Sequence, residues 1–391
     1  MDETQLAGTD PLAFGSIQEA INKADPGATV CIGQGVFREN LWLEVPEVRL
    51  VGSGPASTHL EPGSPTDDPR EDISSVLTLT AEDITIEGMR VEGGMRGIEL
   101  QPGASALIRD MELLANQVGL YAEDPLSLQM DGLLFQHNVE TALRLTGSPG
   151  ATVEGTSLVI EGNGDSASSV AGGIYTDLPL ALQNIVLQDN TGIAASDLLS
   201  TAPLSVRDLS VQRPYRAGGA PRIVAHDSMK LESSTLIVNG APGVHADCNG
   251  RSVSLVNTAI AVESSEQETP AIITENCNTN LNHITVAHLS LASAPLAMDL
   301  DPSSENSVEN SAFVGFDQAI EEDMATAFES SFIGTLAEAS LVRPFATAMT
   351  LYPQLDSPLI DGGLVSSVLY DMEGQPRPTG PAPDIGAFER H

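Results

Sequence analysis

Positive charge is what this sequence has least of. Lysine occurs only at Lys23 and Lys230, and Lys and Arg together number 17 against 54 Asp and Glu, for a formal net charge of -37. A field of that sign opposes association with nucleic acid or with an anionic membrane surface. Aromatic residues are scarce as well, at 4% of 391 positions, while aliphatic residues bring the apolar share to 41%. That balance suits a narrow core filled by aliphatic layers. No apolar run approaches the roughly 20 residues that a membrane-spanning helix needs. The first residues, MDETQLAG, lack the basic and apolar regions of a signal peptide, which leaves either a cytoplasmic chain or the mature form of a secreted protein; we expect the second. The acidity has two readings: a solvated surface of a salt-adapted secreted protein, or carboxylates that bind divalent cations.

What the chain does have is a repeat. MRGIELQPGASALIRDMELLANQ (95 to 117) is followed by VGLYAEDPLSLQMDGLLFQHNV (118 to 139), and later copies begin at GGIYTDLPLALQNIVLQDNTG, GVHADCNG, AIITENCN and PLAMDLD. Each copy is a short alternating strand, a turn, a second alternating strand and a third apolar run ending near Asn or Gly. The first core residue of each is read as Ile98, Leu120, Leu143, Ile174, Ile193, Ile223, Val244, Ile272, Leu296 and Ile320. A unit of about 22 to 30 residues with three short strands cannot bury its own apolar face and must stack on the next. The expected fold is all-β: a right-handed parallel β-helix, a single-stranded solenoid, the hand following the general preference of parallel crossovers. The division expected is an N-terminal cap and opening strands (1–47), coils (48–340) and a C-terminal capping segment (341–391). In SIQEAINKA, Ile17, Ala20, Ile21 and Ala24 share a helical stripe with Ser16 as N-cap, a short helix covering the open end of the coils.

Two segments carry a resemblance. The cap helix followed by DPGATVCIGQGVFREN, LWLEV and VRLVGSG resembles the opening segment of pectate-lyase-like β-helix proteins. SPLIDGG (357 to 363) with DMEGQPRPTGPAPDIGAFE (371 to 389) resembles the C-terminal signature of bacterial β-helix surface proteins called choice-of-anchor Q domain proteins. The resemblance implies an extracellular or bacterial cell-surface location, with an anchoring tail often following the signature. From the residues themselves, Asp371, Arg377, Asp384 and Glu389 are expected to form a paired polar network that closes the last coil.

Candidate functional residues follow from alternation, since residues flanking an inward position point outward. Tyr121, Arg144 and Tyr175 fall in one outward column, and sugar-stacking platforms would take that form. Three insertions, 163–173, 212–221 and 263–270, all precede the reference strand and are expected to border this face. The second insertion holds Arg213, Tyr215 and Arg216, with Arg222 just after it, a basic cluster suited to gripping an acidic sugar or to pairing with nearby acids. Asp227 and Asp247, assisted by His226 or His245, are the candidate carboxyl pair for polysaccharide hydrolysis; the other reading is exposed turn residues. Asp247, Glu275 and Asp299, on three consecutive coils, are candidate calcium ligands, against the plainer reading of side chains splayed into water. Cys248 and Cys277 on consecutive coils would have backbones about 5 Å apart, within disulfide range, with two unlinked thiols as the alternative; Cys31 reads as a small buried hydrophobe. Two functions compete: a surface protein binding a polysaccharide along the loop-bordered face, and a polysaccharide lyase or glycoside hydrolase acting on an acidic polysaccharide.

Overall fold

The computed structural model describes residues 4–7, 14–64, 75–164, 171–191, 196–212, 221–239, 241–263, 269–289, 294–320, 327–341 and 351–390. Its contacts divide into two compact units, Met1–Ser200 and Thr201–His391, and each is a parallel β-helix.

In the first unit a front sheet stacks the short strands Leu41–Leu43, Ser75–Leu79, Arg96–Leu100, Val118–Glu123, Thr141–Thr146, Ile174–Thr176 and Leu198–Ser200, one per coil and all parallel. Alternation places Leu77, Ile98, Leu120, Leu143, Ile174 and Leu198 inward in one buried column. The remainder of each coil forms a second parallel sheet, from Ile84–Glu92 and Ser105–Leu114 through Thr152–Glu161 to Leu180–Gln188. That leg bends once per coil at a residue of positive φ: Gly88, Asp110, Gly132, Ser157 and Asn184. Glycine, or a short polar side chain that bonds locally, meets this left-handed requirement at least cost.

Coil ends are held by an asparagine ladder. The Asn116, Asn138 and Asn163 side chains each donate to the Oδ1 of the next asparagine, ending at Asn190, over 3.2, 2.8 and 2.9 Å. Each also donates to a backbone carbonyl of an earlier coil, so buried amide groups are satisfied without water. The ladder leaves no room beside it: a Cβ on Gly119 would lie 2.5 Å from the Ala142 carbonyl oxygen.

The first coil is closed by the helix Ile17–Asn22. Ser16 Oγ accepts the Glu19 N–H, and the Glu39 carboxylate accepts the Ile17 and Gln18 N–H groups, satisfying the first turn. Coil stacking has begun by this point, since Thr29–Ile32 pairs with Arg49–Val51. Cys31, expected to be a small buried residue, points to the outward side of its strand and is half-buried.

The second unit repeats the plan. Its front sheet holds Ile223–Ala225, Val244–Asp247, Ile272–Glu275 and Met298–Asp299. Its longer strands are Leu204–Gln212, Met229–Val238 and Ser252–Val262. Two reference positions differ from the sequence reading. Leu198 pairs with Ile174 where Ile193 was expected, Ile193 lying outside the described residues, and Met298 pairs with Ile272 where Leu296 was expected. A slip of two residues preserves the alternation of Leu296, Met298 and Leu300, so a period of two cannot detect it.

The C-terminal segment does more than close the last coil, because it runs as a strap along one corner of three successive coils. The positive-φ residues of those coils hold it. Asn257 Nδ2 donates to the Tyr370 carbonyl at 2.7 Å, His283 Nε2 lies 3.0 Å from Ser366 Oγ, and Asn310 Nδ2 donates to the Leu364 carbonyl at 3.1 Å. Small outward residues, Ala259, Ala287 and Ala312, make room for Ile385, Ala387 and Phe388 in a second core. Within the strap, Arg377 Nη1 donates to Glu389 Oε2 at 2.9 Å and to the Asp384 carbonyl at 3.2 Å, and Arg377 Nη2 donates to the Gly386 carbonyl at 2.9 Å. Asp371 accepts the N–H groups of Glu373, Gln375 and Glu389. The four signature residues are therefore a buried, hydrogen-bonded network.

Candidate functional site

The outward side of the first unit's front sheet carries a column read directly from the strand register: Trp42, Thr78, Glu99, Tyr121, Arg144, Tyr175 and Leu199. In-register parallel strands bring such residues to about 4.8 Å spacing, so planar side chains stack. The Arg144 guanidinium lies 6.0 Å from the Tyr121 ring centroid and 5.7 Å from that of Tyr175. Arg96 also lies over the Tyr121 ring, at 4.1 Å.

Charge partners separate the two arginines. Arg96 pairs with Glu99, which also accepts from Ser75 Oγ and, at 2.7 Å, from Gln101 Nε2. Glu99 is consequently buried although it points outward. Arg144 makes no ion pair among the described residues, and its buried Nε has no hydrogen-bond partner. In a chain this acidic, a guanidinium between two phenol rings and without a carboxylate is poised for an external acceptor.

One side of this column is bordered by Glu123, Asp124 and Asp177. Asp177 Oδ1 accepts the Gly147 N–H at 2.7 Å, and Asp124 Oδ1 accepts the Ser148 N–H at 2.6 Å, so the two carboxylates clasp adjacent amides of one turn. Burial raises the Asp177 carboxyl above the usual range, and the negative Asp124 adds to the rise, against the Gly147 hydrogen bond and the Arg144 charge.

No protein-family model matches the chain, and no curated protein matches it in sequence. Solved structures do resemble it. The A-module of the Azotobacter vinelandii mannuronan C-5 epimerase AlgE6 aligns with TM-score 0.51 and 14% identity over 81% of this chain and 94% of that one. Pectate lyase Pel9A aligns with TM-score 0.48 and 13% identity over 98% and 93%. A pectin methylesterase in complex with a hexasaccharide aligns with TM-score 0.40 and 11% identity over 68% and 81%. At these identities the likeness shows the fold alone, the parallel β-helix.

The remaining residues singled out from sequence fare differently. Arg222 is wholly buried, which corrects its placement on a sugar-gripping surface; it immediately precedes the front strand Ile223–Ala225. Arg213, Tyr215 and Arg216 lie outside the described residues, as does most of each of the three insertions. Asp227 is paired with Arg251 at 2.7 Å and accepts the Ser228 N–H, while Asp247 accepts from Asn276 Nδ2 at 3.1 Å. His245 faces Glu275 across 3.2 Å, and His226 is exposed. None of these four lines either cavity described in the structure.

The proposed calcium trio does not form a column. Asp247 stands beside Glu275, but Asp299 stands beside Ile273, two residues short of the expected place. Asp301 occupies the neighbouring position instead, accepting the Asn276 N–H at 2.8 Å together with the Ser303 and Ser304 hydroxyls. No group of three His, Cys, Asp or Glu among the described residues is placed to hold a metal ion. Cys248 and Cys277 are joined as a disulfide, with Cα atoms 5.0 Å apart.

Sequence reasoning missed Arg96, Glu99 and Asp177 as members of the site. Glu99 and Asp177 lay at outward positions of the alternation, whereas Arg96 shares the inward alternation of Ile98 and pairs with the buried Val118; also unreadable was which arginine would be neutralised and which left open.

Proposed function

We propose that the chain is a secreted or cell-surface β-helix protein that binds an acidic polysaccharide along the front sheet of its first unit. The observation that carries this reading is Arg144, held between the rings of Tyr121 and Tyr175 with no ion-paired carboxylate among the described residues. The rings offer flat surfaces to the CH faces of sugars, and the guanidinium offers paired donors to a uronate carboxylate. A column running along the sheet suits a polymer better than a compact ligand. The mannuronan epimerase with the same fold acts, by its name, on a uronate polymer. No helix among the described residues is long and apolar enough to cross a membrane.

Affinity electrophoresis of the full chain in gels containing pectate, alginate or a neutral glucan tests the reading. Mobility should fall in at least one uronate gel and not in the glucan gel, and Tyr175→Ala should restore it. Equal mobility in all gels sinks the proposal.

One observation favours a second reading, an enzyme acting on the same polymer. Asp177, whose carboxyl is raised above the usual range by burial, stands beside Arg144 and is the candidate general acid of that reading. New reducing ends or unsaturated products from pectate or alginate, abolished in Asp177→Asn, would support it; a substrate left intact would remove it.

A further inference from the structure

We propose that the strap of the second unit borders a separate, open binding site for a short uncharged saccharide. A cavity of about 740 Å³ lies between the strap and the long-strand sheet, within the roughly 300 to 1,000 Å³ of small-ligand pockets. It belongs wholly to the Thr201–His391 unit and shares no residue with the Tyr121, Arg144 and Tyr175 face.

Register explains why the space is there. The positive-φ corner residues stack as Asp208, Ser233, Asn257, His283 and Asn310. Asn257, His283 and Asn310 reach up to the strap, as described above. Ser233 is shorter than asparagine, and Asp208, though equally long, carries only acceptor oxygens and has no N–H to give a strap carbonyl; the cavity lies at those two coils.

The roof is fixed before any ligand arrives. Asn257 Nδ2 holds the Tyr370 carbonyl, the Arg377 N–H donates to the Leu369 carbonyl at 2.8 Å, and the Asp371 N–H to the Gln375 carbonyl at 2.8 Å. Little ordering entropy would therefore oppose binding.

The chemistry of the lining selects the ligand. Lys230 lies 2.9 Å from Glu232, and Arg207 lies 3.7 Å from Asp208, so the cations in the floor are already balanced. The Asp371 carboxylate is spent on three backbone donors. No excess positive charge remains to attract a uronate in a chain of net charge -37. What remains is a dense mixture of donors and acceptors, since an ammonium, a guanidinium and two carboxylates keep hydrogen-bonding capacity beyond their ion pairs. Hydroxyl groups, each both donor and acceptor, match that mixture. The strap side adds apolar groups among its polar ones: Leu369 and Tyr370 line it and are 63% and 58% exposed, and an exposed aromatic ring beside a polar floor fits the two faces of a pyranose.

The test is titration of the full chain with neutral trisaccharides of glucose, galactose or mannose, and with trigalacturonate, by isothermal calorimetry. At least one neutral trisaccharide should bind, with affinity unchanged in Arg144→Ala and weakened at least about tenfold in Tyr370→Ala. The exposed Tyr370 ring makes that variant compatible with folding, and Glu232→Gln serves as a second, which should weaken binding in the same sense. Absence of binding by every neutral trisaccharide at millimolar concentration overturns the proposal, as does binding insensitive to both variants. Equal or tighter binding of trigalacturonate that Tyr370→Ala abolishes would overturn the uncharged ligand. Loss of neutral-sugar binding in Arg144→Ala would move the event to the other face.

Discussion

Arg377 is nearly inaccessible, its side chain 1% exposed, and its partner Glu389 is 0% exposed. Burial alone lowers the Arg377 pKa, and Glu389, Asp371 and Asp384 act against that to keep the charge in place. Removing one member of such a pair leaves the other charged and unsolvated, at a cost of about 3 to 5 kcal/mol. Glu389→Gln should lower the denaturant midpoint correspondingly, measured by chemical unfolding of the full chain. His283, also under the strap, is held neutral: burial, aided by the Arg377 charge, lowers its pKa from 6.5 to about 3. The unfolded chain therefore binds this proton at a pH where the folded chain does not. Its contribution to stability is complete above about pH 6.5 and is lost as pH falls toward about 3, with a slope of up to about 1.4 kcal/mol per pH unit. His283→Asn, which suits the left-handed backbone, should flatten that part of a stability profile relative to wild type. An unchanged slope would show that the His283 proton is not the source.

Among the elements, the disulfide ties the ends of two adjacent front strands, Val244–Asp247 and Ile272–Glu275, across a sequence separation of 29. A closed loop of that size constrains the unfolded chain by about 3 to 4 kcal/mol in the chain-entropy account. Cys248→Ala with Cys277→Ala should lower the melting temperature, and a reductant should then shift the wild type but not the double variant. The pair was legible because both cysteines follow reference positions that the repeat fixes well, Val244 and Ile272. Asp299 was misplaced for the converse reason: Leu296, Met298 and Leu300 alternate identically, and only pairing with Ile272 selects Met298. Arg222 failed on a different count: it was grouped with Arg213 and Arg216 by nearness in sequence to the second insertion, and such nearness does not fix exposure. The asparagine ladder was visible only as Asn at coil ends, because a hydrogen-bonded stack depends on spacings of 22, 25 and 27 residues converging in space. The strap's route was not legible at all. Its signature residues announced a polar network, but contacts to Asn257, Thr285 and Asn310 join positions more than 50 residues apart.

For the whole molecule, net charge and function pull in opposite directions. A chain of -37 repels the acidic polymer it is proposed to bind, so recognition rests on a local exception to the global field. Arg144 is that exception. Salt should accordingly act in two opposed ways, screening the general repulsion and weakening the specific contact. The most direct measurement is calorimetric titration of a uronate hexasaccharide into the wild type and into Arg144→Ala at fixed ionic strength. The account predicts binding by the wild type and a loss of at least about tenfold in the variant, with its melting temperature preserved. Equal affinity in the two proteins, or no uronate binding by either, would contradict it.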